Sequence, residues 1–515
     1  MKGNKCIVLF FTTIILVNCK PSINKTINCE IDFSSEKIYE EYQKTENPIA
    51  KIEFDKLLAN EWIQNDLQIL KLILEEANTS LYRYKTKQQI DSLFSSKSCA
   101  FQNSIYYLDY IKHISEIFNF VSCGHSGWSH NLEYKKYRNS NMKFFPLKIH
   151  AIKDSYFVQK IAVNDEKLTV FDEIITINGQ KPKELNEILK NHMYKDGESA
   201  PEGKGDISNY FKMAYSNFIS NPDSFRLKLI NSKSKQNYSV TIPALPLKTI
   251  DSILQKKYGR EEGMGAPLRI ETDDSTQTAI YTIKWFRNEY IEAMGQNFEQ
   301  FTDSVFNVLQ KQNIQNLIID LRSNPGGWTA NGKYLFSYFI SKPLNYINSV
   351  QFKKVDSFSF SPLILSGSGT SDTMQFKLTE QGLLNWENYP SQYVEPKSKN
   401  SFRGNTYILT NANTRSASSI FSAMMENHTS TKFIGEEVGA AQCGQNGMVA
   451  TVQLPYTGLI ISLSTAQYNS NVKDPTNFRG TIPDYEVTTS ILDIKQSTDP
   501  QLNKALELIK LKSVD

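Results

Sequence analysis

The sequence predicts a multidomain α/β protein: a helical N-terminal segment, a β-rich middle and an α/β core toward the C-terminus. Three observations carry that prediction. Residues 405–436 read strand, turn, helix, strand, the pattern of a parallel sheet covered by helices. Leu57, Leu58, Trp62, Leu67, Leu70, Ile73 and Leu74 recur mainly at three- and four-residue spacing, one face of a helix. Between these regions, Phe157–Val163 and Phe171–Gly179 are short runs of β-branched and aromatic residues bounded by turn residues. A length of 515 residues, 40% hydrophobic, accommodates two to four domains with sizeable cores. A net charge of +3 and the absence of basic runs or zinc-type Cys/His spacing leave no electrostatic case for nucleic acid.

At the N-terminus, Lys2 and Lys5 precede an apolar run of 11 residues, Ile7–Val17. That is too short for a bilayer-spanning helix and fits a signal peptide. It ends Leu16-Val-Asn-Cys19, which resembles a bacterial lipobox and departs from it at Asn18, where a small residue is usual. The resemblance implies that residues 1–19 are a lipoprotein signal peptide and that Cys19 is the lipidated first residue of the mature chain. The protein is then expected to be exported, as a periplasmic or cell-surface lipoprotein anchored in a bacterial membrane. Residues 20–48 are polar and read as a tether. An exported chain can keep disulfides, and Cys29, Cys99, Cys123 and Cys443 remain to form them.

Residues 49–135 are expected to form a helical N-terminal domain, with Ile105, Leu108, Ile111, Ile114 and Ile117 continuing the amphipathic pattern. It leads into Val121-Ser-Cys-Gly-His-Ser-Gly-Trp128, where His125 sits on a turn flanked by Gly124 and Gly127 rather than on an apolar face. Residues 143–248 read as a β-rich domain, with Asn178-Gly179 as a hairpin-type turn and a helix after Pro182. The run Asp172-Glu-Ile-Ile-Thr-Ile-Asn-Gly179 resembles a PDZ domain, which implies capture of an extended peptide at a sheet edge. Residues 195–223 read as an insertion there.

The expected α/β core spans 265–490, and 491–515 carry a C-terminal helix. Ala279–Trp285 reads as a strand and Phe298, Phe301, Val305 and Leu309 mark a helix. The apolar strand Leu317–Ile319 then runs into Asp320, Arg322 and the turn Asn324-Pro-Gly-Gly327. After the strand Asn405–Thr410, Ser416 opens a helix with Ala417, Ile420, Phe421 and Met424 on one face. The first turn of a helix offers unpaired N–H groups and a positive dipole end. A serine there is either an N-cap or a nucleophile whose oxyanion meets its neighbours' amides.

Together, Asp320-Leu-Arg-Ser-Asn-Pro-Gly-Gly327 and Thr414-Arg-Ser-Ala-Ser418 resemble the C-terminal processing (tail-specific) family of serine peptidases, which also includes the tricorn-core enzymes. Gly480-Thr-Ile-Pro-Asp484 resembles a later element of the same family. The resemblance implies Ser416 as nucleophile, an oxyanion site from Gly326, Gly327 and Ala417, a peptide or protein substrate, and neither cofactor nor metal. The chain departs from the family's commonest pattern in that the loop Gly439–Gly447 carries no lysine, and Lys432 lies at the far end of its strand. The tricorn-like branch instead takes a histidine from the N-terminal side, and His125 is the match. His428, twelve residues along the helix from Ser416, is about 18 Å away at 1.5 Å per residue. That branch places an acid near Asp474, with Glu436 and Glu437 as competitors. It also puts a serine before the histidine, where Gly124 stands here beside Ser122 and Ser126. A bridge between Cys123 and Cys443 would tie the base to the core across more than 300 residues. Two other readings stay open: a catalytically inactive peptide-binding lipoprotein, and a serine esterase.

Overall fold

Alternation in two five- and six-residue strands sets the architecture of the C-terminal half. In Asn316–Asp320 and Asn405–Thr410, Leu317, Ile319 and Ile408 face one side of the sheet and Ile318, Tyr407 and Leu409 the other. Strands buried on both faces need cover on both. Helices Phe298–Lys311, Thr329–Phe336 and Ala417–His428 cover the first face through Phe306, Leu335, Phe421 and Met424. The C-terminal helix Pro500–Lys512 covers the second through Ala505 and Ile509.

The computed structural model describes residues 52–199, 204–259, 265–367, 371, 373–397 and 399–512. The expected signal peptide, Cys19, the tether and Cys29 lie outside the described residues. In the central sheet the strand order is Tyr485–Glu486, Lys432–Gly435, Asn405–Thr410, Asn316–Asp320, Thr278–Ile283, Leu268–Asp273. All neighbours are parallel except the last pair. Asp320 stands opposite Leu409, so the turns after these two strands emerge side by side at the carboxyl end of the sheet.

A second sheet is built on the long hairpin of Asn446–Gln453 and Ile460–Ser470. The short strand Gly127–Ser129 joins it, with Trp128 opposite Ile461 and Gly127 opposite Ser462. Helices Asn60–Ala77, Lys87–Ala100 and Tyr107–Val121 pack Ile63, Leu70, Ile111 and Ile114 into one core with Val452, Leu454, Ile461 and Leu463 of that hairpin. The helical segment therefore shares its core with the hairpin. Buried Asp66 fixes the contact by accepting from the Tyr456 N–H (3.1 Å) and from the Thr457 N–H (2.7 Å) and hydroxyl (2.5 Å).

Residues 147–243 form a five-stranded antiparallel sheet in sequential order, with Phe211, Tyr215 and Leu185 of two helices in its core. Asn178 (φ +51°) and Gly179 (φ +90°) make a two-residue turn in which Ile177 and Gln180 exchange both hydrogen bonds. Among the described residues no helix is long and apolar enough to cross a membrane.

Candidate active site

The Ser416 turn is built from its own sequence. Thr414 Oγ1 donates to Leu321 O (2.9 Å), and the Arg415 N–H donates to Asn324 O (3.0 Å), lashing this turn to the one after Asp320. Ser418 Oγ adds a bond to Asn324 O (2.7 Å). Ser416 is thereby held at φ +54°, ψ −127°, outside the regions an L-residue ordinarily occupies. Such a conformation costs on the order of 1–3 kcal/mol and persists only where neighbours enforce it. Ser416 occupies the N-cap position of Ala417–His428, but its side chain makes no capping hydrogen bond. Of the two roles open to it, the cap is therefore unused, and the hydroxyl projects from a sharp strand-to-helix turn.

Gly326 is required by space. A Cβ on it would lie 2.6 Å from Ser416 Cβ and 2.8 Å from the Ala417 nitrogen, and its φ is +96°. Its N–H is already given to Asn324 Oδ1 (2.9 Å). Gly326 therefore does not donate to an oxyanion. The N–H groups of Gly327 and Ala417 have no acceptor among the described residues and are the available pair. Gly327 is pressed against the Phe286 backbone, where a Cβ would meet the carbonyl carbon at 2.3 Å. Arg322 braces the turn from behind, bonding Asp320 (2.9 and 2.8 Å), Asp499 (2.7 and 2.8 Å) and Gln501 (3.1 Å).

His125 comes from 291 residues upstream and puts its Nε2 3.1 Å from Ser416 Oγ. Its turn is held from three sides. Gly127–Ser129 pairs with the hairpin strand. Ser126 Oγ accepts from Asn78 Nδ2 (3.1 Å) and the Ser464 N–H (3.0 Å). The Gly197 N–H donates to Ser122 O (2.9 Å). Burial, with the Arg415 cation second, pushes the imidazole down to about 4, so at neutral pH it is uncharged and able to accept a proton. Its Nδ1 is shielded from solvent and has no hydrogen-bond partner among the described residues.

Asp474 does not orient that ring, a correction to the sequence expectation. Its exposed carboxylate accepts from the Thr476 N–H (2.9 Å) and hydroxyl (2.6 Å), capping a local turn. Glu437 is paired with Arg479 and the Gly480 N–H. Lys432 bonds Asp484 (2.6 Å), and His428 bonds Asn471 O (2.7 Å). Cys123 and Cys443 are free thiols, so the expected bridge is absent. The Cys123 thiol turns to Ser126 Oγ (3.4 Å), and Arg83 holds the Cys443 carbonyl (3.0 Å). Hydrogen bonds and strand pairing do the pinning that the bridge was expected to do.

Two cavities open at Ser416. One of about 490 Å³ is lined by Trp285, Arg287, Ile420, Met448 and Tyr468 beside the glycine turn. The other, about 130 Å³, is lined by His125, Tyr194, Lys195, Asp196 and Arg415. Lys195 and Asp196 carried no sequence signal, because they fall in what reads as an insertion far from any motif.

Residues 288–487 match the model of Peptidase family S41. No curated protein matches the chain in sequence. Among solved structures, mature CPAF complexed with lactacystin is 14% identical over 88% of this chain and 98% of its own, with a TM-score of 0.59. Mature CPAF alone gives 14% identity over 88% and 97%, with a TM-score of 0.58. The photosystem II D1 C-terminal processing protease gives 11% identity over 83% and 93%, with a TM-score of 0.38. Residues 288–487 thus match an S41 peptidase domain, the chain shares the fold of mature CPAF, and it is a serine-type peptidase.

Proposed function

We propose that this serine peptidase cleaves peptide bonds by acyl transfer, with Ser416 as nucleophile and His125 as general base. The observation that carries the reading is the 3.1 Å contact between their side chains at a strained turn that leaves the hydroxyl uncapped. Neutral His125 takes the hydroxyl proton through Nε2 as Ser416 Oγ attacks the peptide carbonyl. The oxyanion that forms meets the Ala417 and Gly327 N–H groups, each worth about 3 kcal/mol in such sites. His125 then returns the proton to the leaving amine, and water repeats the sequence to free the acyl group and Ser416. The larger cavity, where Trp285, Tyr468 and Met448 stand beside Arg287, Gln445 and Asn446, accepts side chains of the substrate.

A fluorophosphonate tests this. Labelling at Ser416, lost in Ser416→Ala and reduced at least ~10⁴-fold in His125→Ala, is expected, with folds unchanged by circular dichroism. An unlabelled wild-type protein would favour the inactive binding reading. Hydrolysis of simple esters but of no peptide would favour the esterase.

A second role has its own support. Strand Leu147–Ile152 and Ser208 border a cavity of about 490 Å³ facing Glu437, Arg479 and Pro483 of the core. This gap beside a sheet edge suits an extended peptide, in keeping with a PDZ-like role for residues 143–248. Export and anchoring through Cys19 rest on residues 1–19, and a diacylated Cys19 in the mass spectrum of the mature chain is the expected outcome.

A further inference from the structure

Histidine as a base needs its other nitrogen protonated and its ring held, and a buried Nδ1–H without an acceptor is costly. His125 Nδ1 is such an atom. A second buried atom without a partner among the described residues, Asp196 Oδ2, lines the same cavity of about 130 Å³ as His125 and Ser416. Asp196 is 3% exposed, and a carboxylate is kept that deep only where it is partnered or put to use. Its loop is strapped to the histidine's. The Gly197 N–H bonds Ser122 O at 2.9 Å, and a Cβ placed on Gly124 would stand 3.0 Å from Asp196 Cβ and 3.4 Å from Oδ2. Its other oxygen is fixed, since Tyr84 Oη donates to Oδ1 at 2.7 Å.

We propose that Asp196 is the positioning acid of this site, its Oδ2 accepting the His125 Nδ1–H through one water in the shared cavity. A cavity of that volume, walled by polar groups, has room for water. The carboxylate selects the tautomer that presents a lone pair at Nε2 and stabilises the imidazolium formed as Ser416 gives up its proton. This rests on the Ser416–His125 reading. The groups facing Asp196 are Arg83 and Tyr84 from the segment after helix Asn60–Ala77, Arg415 from the nucleophile turn, and the thiols of Cys123 and Cys443. Lys195 lines the cavity beside it. Burial pushes Asp196 up to about 6 against the opposing pull of Tyr84 and the two arginines.

The test is the rate of Ser416 labelling by a fluorophosphonate as a function of pH, on the whole chain. Wild type is expected to lose rate below an inflection near pH 6. Asp196→Asn is expected to label at least ~100-fold more slowly at pH 7 and to lack that inflection, with its melting temperature little changed. Labelling by Asp196→Asn within about threefold of wild type, with the same profile, overturns the proposal. If Asp196→Asn fails to fold, Tyr84→Phe serves: stripping a donor from Oδ1 should move the inflection to higher pH, and an unmoved inflection overturns the proposal. Gln445 carries another unpaired buried oxygen in this cavity, but an amide does not titrate. A wild-type profile without an inflection near pH 6 would assign the acceptor to Gln445 and also overturn the proposal. Absence of Ser416 labelling in wild type at every pH is a different result, since it removes the nucleophile assignment itself.

Discussion

Ser416 and His125 meet at 3.1 Å, yet the chain holds them by opposite means. Ser416 is positioned locally: adjacent parallel strands end together, and the turns after them lock through Asn324, Thr414 and Ser418. Its precision is stored as backbone strain at φ +54°. His125 lies on ordinary backbone and is positioned at a distance, by Asn78, Ser464, Gly197 and a three-residue strand pairing. The proposed nucleophile is thus a property of a motif. The proposed base, His125, is a property of the assembled fold, and whatever loosens the packing of helix Tyr107–Val121 against the hairpin reaches His125 first.

The comparison breaks most directly at Gly326. Alanine there puts a methyl within 2.6 Å of Ser416 Cβ and 2.8 Å of the Ala417 nitrogen, at a φ that alanine avoids. Gly326→Ala is expected to lower the labelling rate by about 10²–10³, the scale of losing an oxyanion donor. The melting temperature should fall as well, because Gly326 is buried and the added methyl would strike backbone atoms of the Ser416 turn at a φ alanine avoids. A rate within threefold of wild type would mean that the turn is not rigid.

A smaller effect is expected on the other side. Ser126→Ala leaves the buried Asn78 amide and Ser464 N–H without their acceptor, about 1–3 kcal/mol each. The histidine turn loosens but keeps its strand pairing, so a labelling loss of about tenfold is expected together with a lower melting temperature. Loss of stability with an unchanged rate would show that the strand pairing alone fixes the ring.

The same contrast explains what could be read from the sequence. Ser416, Ala417 and the two glycines lie in contiguous runs whose spacing is their geometry. His125 was legible because glycines on either side remove it from any apolar face. Asp196 was not: it is one of 54 acidic residues, in a segment with no motif, and only the strap to Ser122 brings it to the site. Asp474 was misplaced for the converse reason. Sequence order put it near the site, but its carboxylate is engaged by Thr476. Periodicity revealed the apolar face of Asn60–Ala77 but not that the hairpin of the core covers it. The bulged register between Ile347 and Ser349 in the second sheet left no mark at all.

The smallest expected effect separates the two sides by pH. The unfolded chain binds a proton at His125 near pH 6.5, whereas the folded chain resists until about pH 4, chiefly because the ring is buried. Below pH 6.5 the unfolded state therefore holds the extra proton, and wild type loses stability as pH falls through that window. Ser416 has no such term. Replacing the base with an uncharged side chain, His125→Gln, removes the penalty while Asp66, Asp196 and the other buried groups titrate as before. The melting temperature of His125→Gln relative to wild type should therefore rise as pH drops from 7 to 4.5. Because solvent reaches part of the ring, the gain is on the order of 1–2 kcal/mol, a degree or two in a chain of this size. A difference that falls as pH drops would mean that the imidazole is already charged in the folded chain at neutral pH, and His125 could not then serve as the base, however close it stands to Ser416.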